Sequence, residues 1–146
     1  MKRIIILLAV AAALCSCGGP STLYYWGGVQ NGTTTYEQLT YKDYKTQSPE
    51  ALCQLICAYE NMVLHPGGTR AVPPPGICAE YGYLLLQPNT AVAFSEKATA
   101  GQRRYFSGTD YATLFYEHGK EMLQKELEYY PESRQFIEPL IKKLAQ

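Results

Sequence analysis

Prolines and glycines cut this chain into pieces too short for anything but a stack of small helices. Pro49, Pro66, the run Pro73-Pro74-Pro75, Pro88, Pro131 and Pro139 recur along it. A proline lacks the backbone donor and clashes with the turn before it, so a helix tolerates one only in its first turn or with a kink. Between these breaks apolar residues recur three and four apart, and no stretch alternates apolar and polar long enough to call a strand. The expectation is all-α: a small helical array of antiparallel helix pairs.

The punctuation places the helices. Residues 23–47 open irregularly, with turn signals at Trp26-Gly27-Gly28 and Asn31-Gly32-Thr33, then a short helix or extended segment carrying Tyr36, Leu39, Tyr41 and Tyr44. Ser48-Pro49-Glu50 starts a helix well, as N-cap, first-turn proline and an acid beside the positive helix end. Leu52, Leu55, Ile56, Tyr59 and Val63 give it one apolar stripe, and His65-Pro66-Gly67-Gly68 ends it. A second helix is expected from about Pro75 to Gln87, with Ile77, Cys78, Tyr81, Leu84 and Leu85 on one face. Gly82 at its centre costs about 1 kcal/mol relative to alanine, which points to a close helix–helix approach. Asn89 or Thr90 caps a third helix with Ala91, Phe94, Ala98 and Tyr105 inward, its end blurred by Gly101. Ser107-Gly108-Thr109-Asp110 precedes the longest helix, Tyr111 to about Tyr130, whose charged residues Glu117, Lys120, Glu121, Lys125, Glu126 and Glu128 read as a solvated face. Pro131-Glu132-Ser133 breaks it before a last helix bearing Phe136, Ile137, Leu140, Ile141 and Leu144, which Pro139 should kink.

The first residues give the address. Lys2 and Arg3 precede Ile4–Leu14, an uncharged run too short for the roughly 20 residues of a membrane span and of the length of a secretory h-region. Leu14-Cys15-Ser16-Cys17 closes it as a lipobox, an apolar residue and small residues before a cysteine whose thiol would carry lipid; Cys15 is the weaker candidate, with Leu14 directly before it. The expected organisation is a lipoprotein signal peptide over 1–16, a lipidated tether over 17–22 and a single helical domain over 23–146. One acyl chain holds only reversibly and two or more hold stably, so a processed Cys17 would keep the protein on a membrane. With no aspartate next to Cys17 and no acidic run after it, the expected location is the outer membrane, lipid-anchored and facing the periplasm.

Removing the first 16 of 146 residues leaves 130, the size of one domain. Two of the 13 basic residues leave with the leader, so 13 acidic side chains face 11 basic ones, and nucleic acid is not an expected partner. Thirteen tyrosines against four phenylalanines suit half-buried helix contacts or a docking surface, since a tyrosine buries its ring and keeps its hydroxyl at a wet edge. Cys53, Cys57 and Cys78 allow small apolar packing, a disulfide from Cys78 to one of the other two, or a metal site with His65 or His118 as fourth ligand. The spacing fits no zinc motif, and no metal or cofactor is expected.

Gly119, Leu123, Glu126 and Pro131 stand at steps of four, three and five, the steps at which a tetratricopeptide second helix places small, large, small and proline; Glu126 departs from that pattern. Tyr81-Gly82-Tyr83 matches the central aromatic and glycine of the first helix of such a pair. Three blocks in order carry a wider likeness: Tyr24-Tyr25-Trp26-Gly27, Val72-Pro73-Pro74-Pro75-Gly76 with Ala79-Glu80-Tyr81-Gly82-Tyr83-Leu84, and Tyr129-Tyr130-Pro131-Glu132-Ser133. Together they resemble the lipoproteins of domain-of-unknown-function family 4810, over nearly all the mature chain. The resemblance implies a small tetratricopeptide-like lipoprotein whose gene neighbours include a lipoprotein resembling the curli-assembly channel. In such families the helix after Gly82 leads straight to the Pro-Glu-Ser block, whereas here residues 88–118 intervene.

Catalytic chemistry finds little support. His65 sits in a loop and His118 in mid-helix, and no zinc-peptidase helix, nucleophile elbow or phosphate loop occurs. No catalytic residue is assigned and the chain reads as a non-enzyme. Tyr24, Tyr25 and Trp26 with Pro73, Pro74 and Pro75 are the candidate interaction surface, against a plainer reading in which Trp26 covers the end of the stack and the prolines stiffen a turn. The expected function is a periplasmic adaptor or scaffold for an envelope or secretion assembly, with a curli-channel-like lipoprotein as partner. The alternative is a lipoprotein binding a small ligand or peptidoglycan.

Overall fold

The computed structural model describes residues 22–144; the leader, Cys17 and the tether as far as Ser21 lie outside the described residues. The described chain is an all-α array. A hairpin of β1 (Val29–Gln30) and β2 (Thr33–Thr34) leads into α1 (Thr35–Thr46), α2 (Pro49–Leu64), α3 (Ile77–Leu85), α4 (Thr90–Lys97), α5 (Ala100–Arg103), α6 (Tyr111–Tyr129), a 3₁₀ turn over Pro131–Ser133, and α7 (Arg134–Leu144).

Local sequence sets most of these boundaries. Ser48 accepts from the Ala51 amide at 3.2 Å with Pro49 in the first turn, as its sequence requires. Thr34 and Glu37 close a capping box on α1, and Thr99 and Gln102 close another on α5. Asn31 and Gly32 both take positive φ, the pair of left-handed residues that a tight two-residue hairpin demands. Pro139 lies inside α7, which runs through it.

Packing follows antiparallel pairs. Lys42 on α1 reaches Gln54 on α2, while the Tyr36 and Tyr59 rings meet at a tilt. Helices α3 and α6 form the closest pair, and the closeness comes from two glycines. A Cβ on Gly82 would stand 2.7 Å from the Gly119 carbonyl oxygen, and one on Gly119 would stand 2.7 Å from Leu86 Cγ. The expected close approach at Gly82 is therefore present, with Gly119 as its partner.

Helices α4 and α5 occupy the stretch between α3 and α6 and add their own core. Phe94 is fully buried, edge-on to Phe106, Tyr111 and Phe115 at centroid separations of 5.0–5.2 Å. Burying each such ring contributes roughly 1.5–3 kcal/mol. The intervening segment thus packs against the pair and leaves α3 and α6 together.

Three expectations change. Tyr105, expected inward, is 42% exposed, because the Thr99 cap breaks the helix and turns Phe106 into the core instead. A strand pair exists where none was expected, built by the Asn31-Gly32 turn. Glu126 is buried, not part of a solvated face: its carboxylate accepts from the Gly76 and Ala79 amides at 2.9 and 3.3 Å. Gly76, the N-cap before α3, takes φ +86 and has no side chain to cap the helix, so a carboxylate 50 residues away does so. Burial pushes that carboxyl above its ordinary value, and the amide bonds pull the other way.

Candidate functional site

An aromatic seam crosses the array from the amino-terminal strap to α6. Trp26 meets Tyr36 with ring centroids 5.2 Å apart, Tyr36 meets Tyr59 at 6.1 Å, Tyr59 stacks on Tyr81 at 5.5 Å, and Tyr81 meets the edge of His118 at 5.6 Å. Two carboxylates stitch it together. Glu80 Oε2 accepts from the hydroxyls of Tyr36 at 2.9 Å and Tyr59 at 2.8 Å. Glu60 Oε2 accepts from Tyr81 at 2.8 Å and lies 2.8 Å from His118 Nε2. Helices α1, α2, α3 and α6 each contribute a member, so the seam binds the array across its width.

Burial and the two carboxylates set the electrostatics of the seam. Burial, then the bond to Glu80, raises the Tyr36 phenol to about 12, and burial drives Tyr59 and Tyr81 upward as well. A phenol held that firmly neutral is a poor base or nucleophile. His118 has Nε2 on Glu60 and Nδ1 3.4 Å from Glu121, whose carboxylate also pairs with Lys125 at 2.9 Å. Burial alone would lower the His118 pKa, but the two carboxylates outweigh it and the net shift is upward. Both ring nitrogens therefore face carboxylates.

The candidate interaction residues divide. Pro73 and Pro74 are buried, and the Tyr130 hydroxyl donates to the Pro73 carbonyl at 2.6 Å; only Pro75 of the three is exposed. As a docking surface the triple proline is therefore corrected to a packed turn that positions α3. Tyr24, Tyr25 and Trp26 are half-buried in a strap pinned to the loop after α2, where the Thr69 and Arg70 amides donate to the carbonyls of Thr22 and Leu23, each at 3.1 Å. Tyr24 packs edge-on to Tyr130, and Tyr25 lies against Gly67. Exposed aromatic side chains lie elsewhere, among them Tyr41 and Tyr44 on α1, Tyr83 on α3 and Phe136 on α7.

Cys53, Cys57 and Cys78 are buried free thiols, which corrects the candidate disulfide. Cys53 and Cys57 face the backbone of α4 and α5 at Ala93 and Gln102, while Cys78 sits beside Glu126. Burial raises both Cys57 and Cys78 to about 12. Among the described residues no three His, Cys, Asp or Glu side chains converge to hold a metal ion, and no described helix is long and apolar enough to cross a membrane. His65 lies exposed directly after α2 and takes no part in the seam.

Residue-level reading of the sequence missed Glu60, Glu80 and Glu126 as buried or bridging acids. Their only advance signal was position: Glu60 follows Tyr59 on the apolar stripe of α2, and Glu126 falls where a helix pair wants a small residue. Compared with protein-family models, curated proteins and solved structures, the chain matches none.

Proposed function

We propose that this chain is a lipid-anchored periplasmic adaptor, a rigid helical scaffold that holds another envelope protein and performs no chemistry of its own. The observation that carries the reading is polar saturation. Among the described residues no buried side-chain nitrogen or oxygen lacks a partner, and the buried acids Glu60 and Glu126 are consumed by contacts inside the fold. Catalytic sites keep buried polar groups unsatisfied; here the buried acids are spent on holding helices together. Meanwhile α1 buries none of its residues fully and leaves Tyr41 and Tyr44 in solvent, tyrosine being among the residue types enriched at protein interfaces.

Membrane attachment through Cys17 and an outer-membrane position rest on the lipobox. The partner class, a lipoprotein resembling the curli-assembly channel, rests on the likeness to family 4810. The test is crosslinking in intact envelopes, detergent extraction and mass spectrometry. The anchored protein should co-purify one outer-membrane lipoprotein, and Tyr41→Ala with Tyr44→Ala should abolish this while the helical spectrum stays intact. Trp26→Ala is a poorer probe, because it also unseats the strap from Tyr36. Recovery of the protein alone, with the purified domain binding wall fragments or a small metabolite, would defeat the adaptor reading.

A further inference from the structure

We infer that one end of the array, built around Leu23, Leu64 and Arg70, rests directly on the lipid surface, so that the helices meet the membrane by their ends and not by their flanks. The inference rests on lipidation of Cys17. Five backbone steps separate Cys17 from Thr22, and a fully extended chain spans at most about 17 Å over that distance. Thr22 itself has no freedom to extend the reach. The strap is hydrogen-bonded to the loop at Thr69 and Arg70, and Gly68 lies so close that an added Cβ would stand 2.5 Å from the Leu23 carbonyl oxygen. Whatever surrounds Thr22 is therefore held near the bilayer.

That neighbourhood is built for an interface. The end of α2, the start of α3 and the end of α6 converge there, as the antiparallel pairs and the Tyr24–Tyr130 and Tyr130–Pro73 contacts require. Leu23 is 60% exposed and Leu64, at the last position of α2, is 52% exposed. Arg70 holds its guanidinium 5.9 Å over the Tyr24 ring, a cation beside a half-buried tyrosine at the level where lipid phosphates would lie. Aliphatic side chains flanked by arginine and tyrosine are the composition that settles at the headgroup boundary. The opposite end, with Asn89, Ser107 and Asp110, then faces away from the membrane.

The experiment uses the lipidated full-length protein in vesicles of phosphatidylethanolamine and phosphatidylglycerol that include nitroxide-acyl phospholipid. A fluorophore is placed at Thr69→Cys or, at the far end, Ser107→Cys; both positions are exposed and the native thiols of the domain are buried. The label at 69 should be quenched several-fold more than the label at 107. That difference should persist when twenty Gly and Ser residues are inserted after Gly19, and fall at least twofold in Leu23→Asp/Leu64→Asp. If the double variant loses its helical spectrum, Leu64→Asp alone must give the same direction of change. Equal quenching at both positions, or quenching that vanishes with the longer tether and survives the aspartates, overturns the inference. Co-sedimentation reads the anchor separately: a protein that sediments with vesicles but shows no preferential quenching defeats the docking alone, whereas failure to sediment, as expected of Cys17→Ser, defeats the lipidation as well.

Discussion

Replacing Gly82 with alanine tests the contact on which the central helix pair depends. The added methyl would stand 2.7 Å from the Gly119 carbonyl oxygen and 3.1 Å from Leu123 Cγ and its amide nitrogen, where 3.4 Å or more is ordinary. The 2.7 Å neighbour is backbone within a 19-residue helix, so it cannot swing aside as a side-chain tip would, and α3 and α6 must part by about 0.7 Å. Overpacking of that kind costs about 1–3 kcal/mol, and the forced backbone contact places this case at the upper end. Alanine recovers about 1 kcal/mol of helix propensity over glycine. The net loss is about 1–2 kcal/mol, which for a domain of this size lowers the thermal midpoint by about 4–8 °C. Gly101→Ala is the control: its Cβ would meet only the Thr99 hydroxyl at 3.9 Å, so the midpoint should hold or rise. Thermal unfolding followed by far-ultraviolet circular dichroism decides the matter. If Gly82→Ala stabilises the protein as much as Gly101→Ala does, the helices do not touch there and the account of the pair is wrong.

Three further predictions concern the buried polar groups and thiols. His118 is held above its ordinary value of 6.5 by Glu60 and Glu121, so its contribution is complete below that pH and is lost as pH rises through the raised value; the slope of unfolding free energy in that window should vanish in His118→Leu. Glu126→Ala should cost about 2 kcal/mol, since the Gly76 and Ala79 amides lose a buried acceptor, and Glu126→Gln should cost less in the same denaturant titration. Cys53, Cys57 and Cys78 should ignore a disulfide reagent at pH 8 in the folded protein and react, as three thiols, once it is denatured; fast reaction in the folded state would contradict their burial.

Much of the fold was legible because its determinants are local. Ser48-Pro49-Glu50 and Pro131 fix helix ends by backbone chemistry that needs no partner, and the Leu55, Ile56 and Tyr59 stripe names its own buried face. The Asn31-Gly32 turn was legible as a turn but not as a hairpin, because the paired strands are only two residues long, and the Thr99 and Gln102 capping box, equally local, passed unread beside Gly101. The seam was different. Whether Glu60 is solvated or buried depends on Tyr81 and His118, which lie 21 and 58 residues away, and periodicity carries no information about that. The same holds for the triple proline: its stiffness was evident, but its burial is decided by Tyr130.

The strap also has a consequence in time. Helical proteins usually assemble quickly from contacts between neighbours along the chain, and pairings between distant segments wait for loops to close. Here Tyr24 finds its ring partner in Tyr130, and the loop that receives the strap is buttressed by the same tyrosine through Pro73. A chain synthesised from its amino end thus exposes Tyr24 first and supplies Tyr130 only when almost everything else has emerged. The part of the molecule that comes first is completed last.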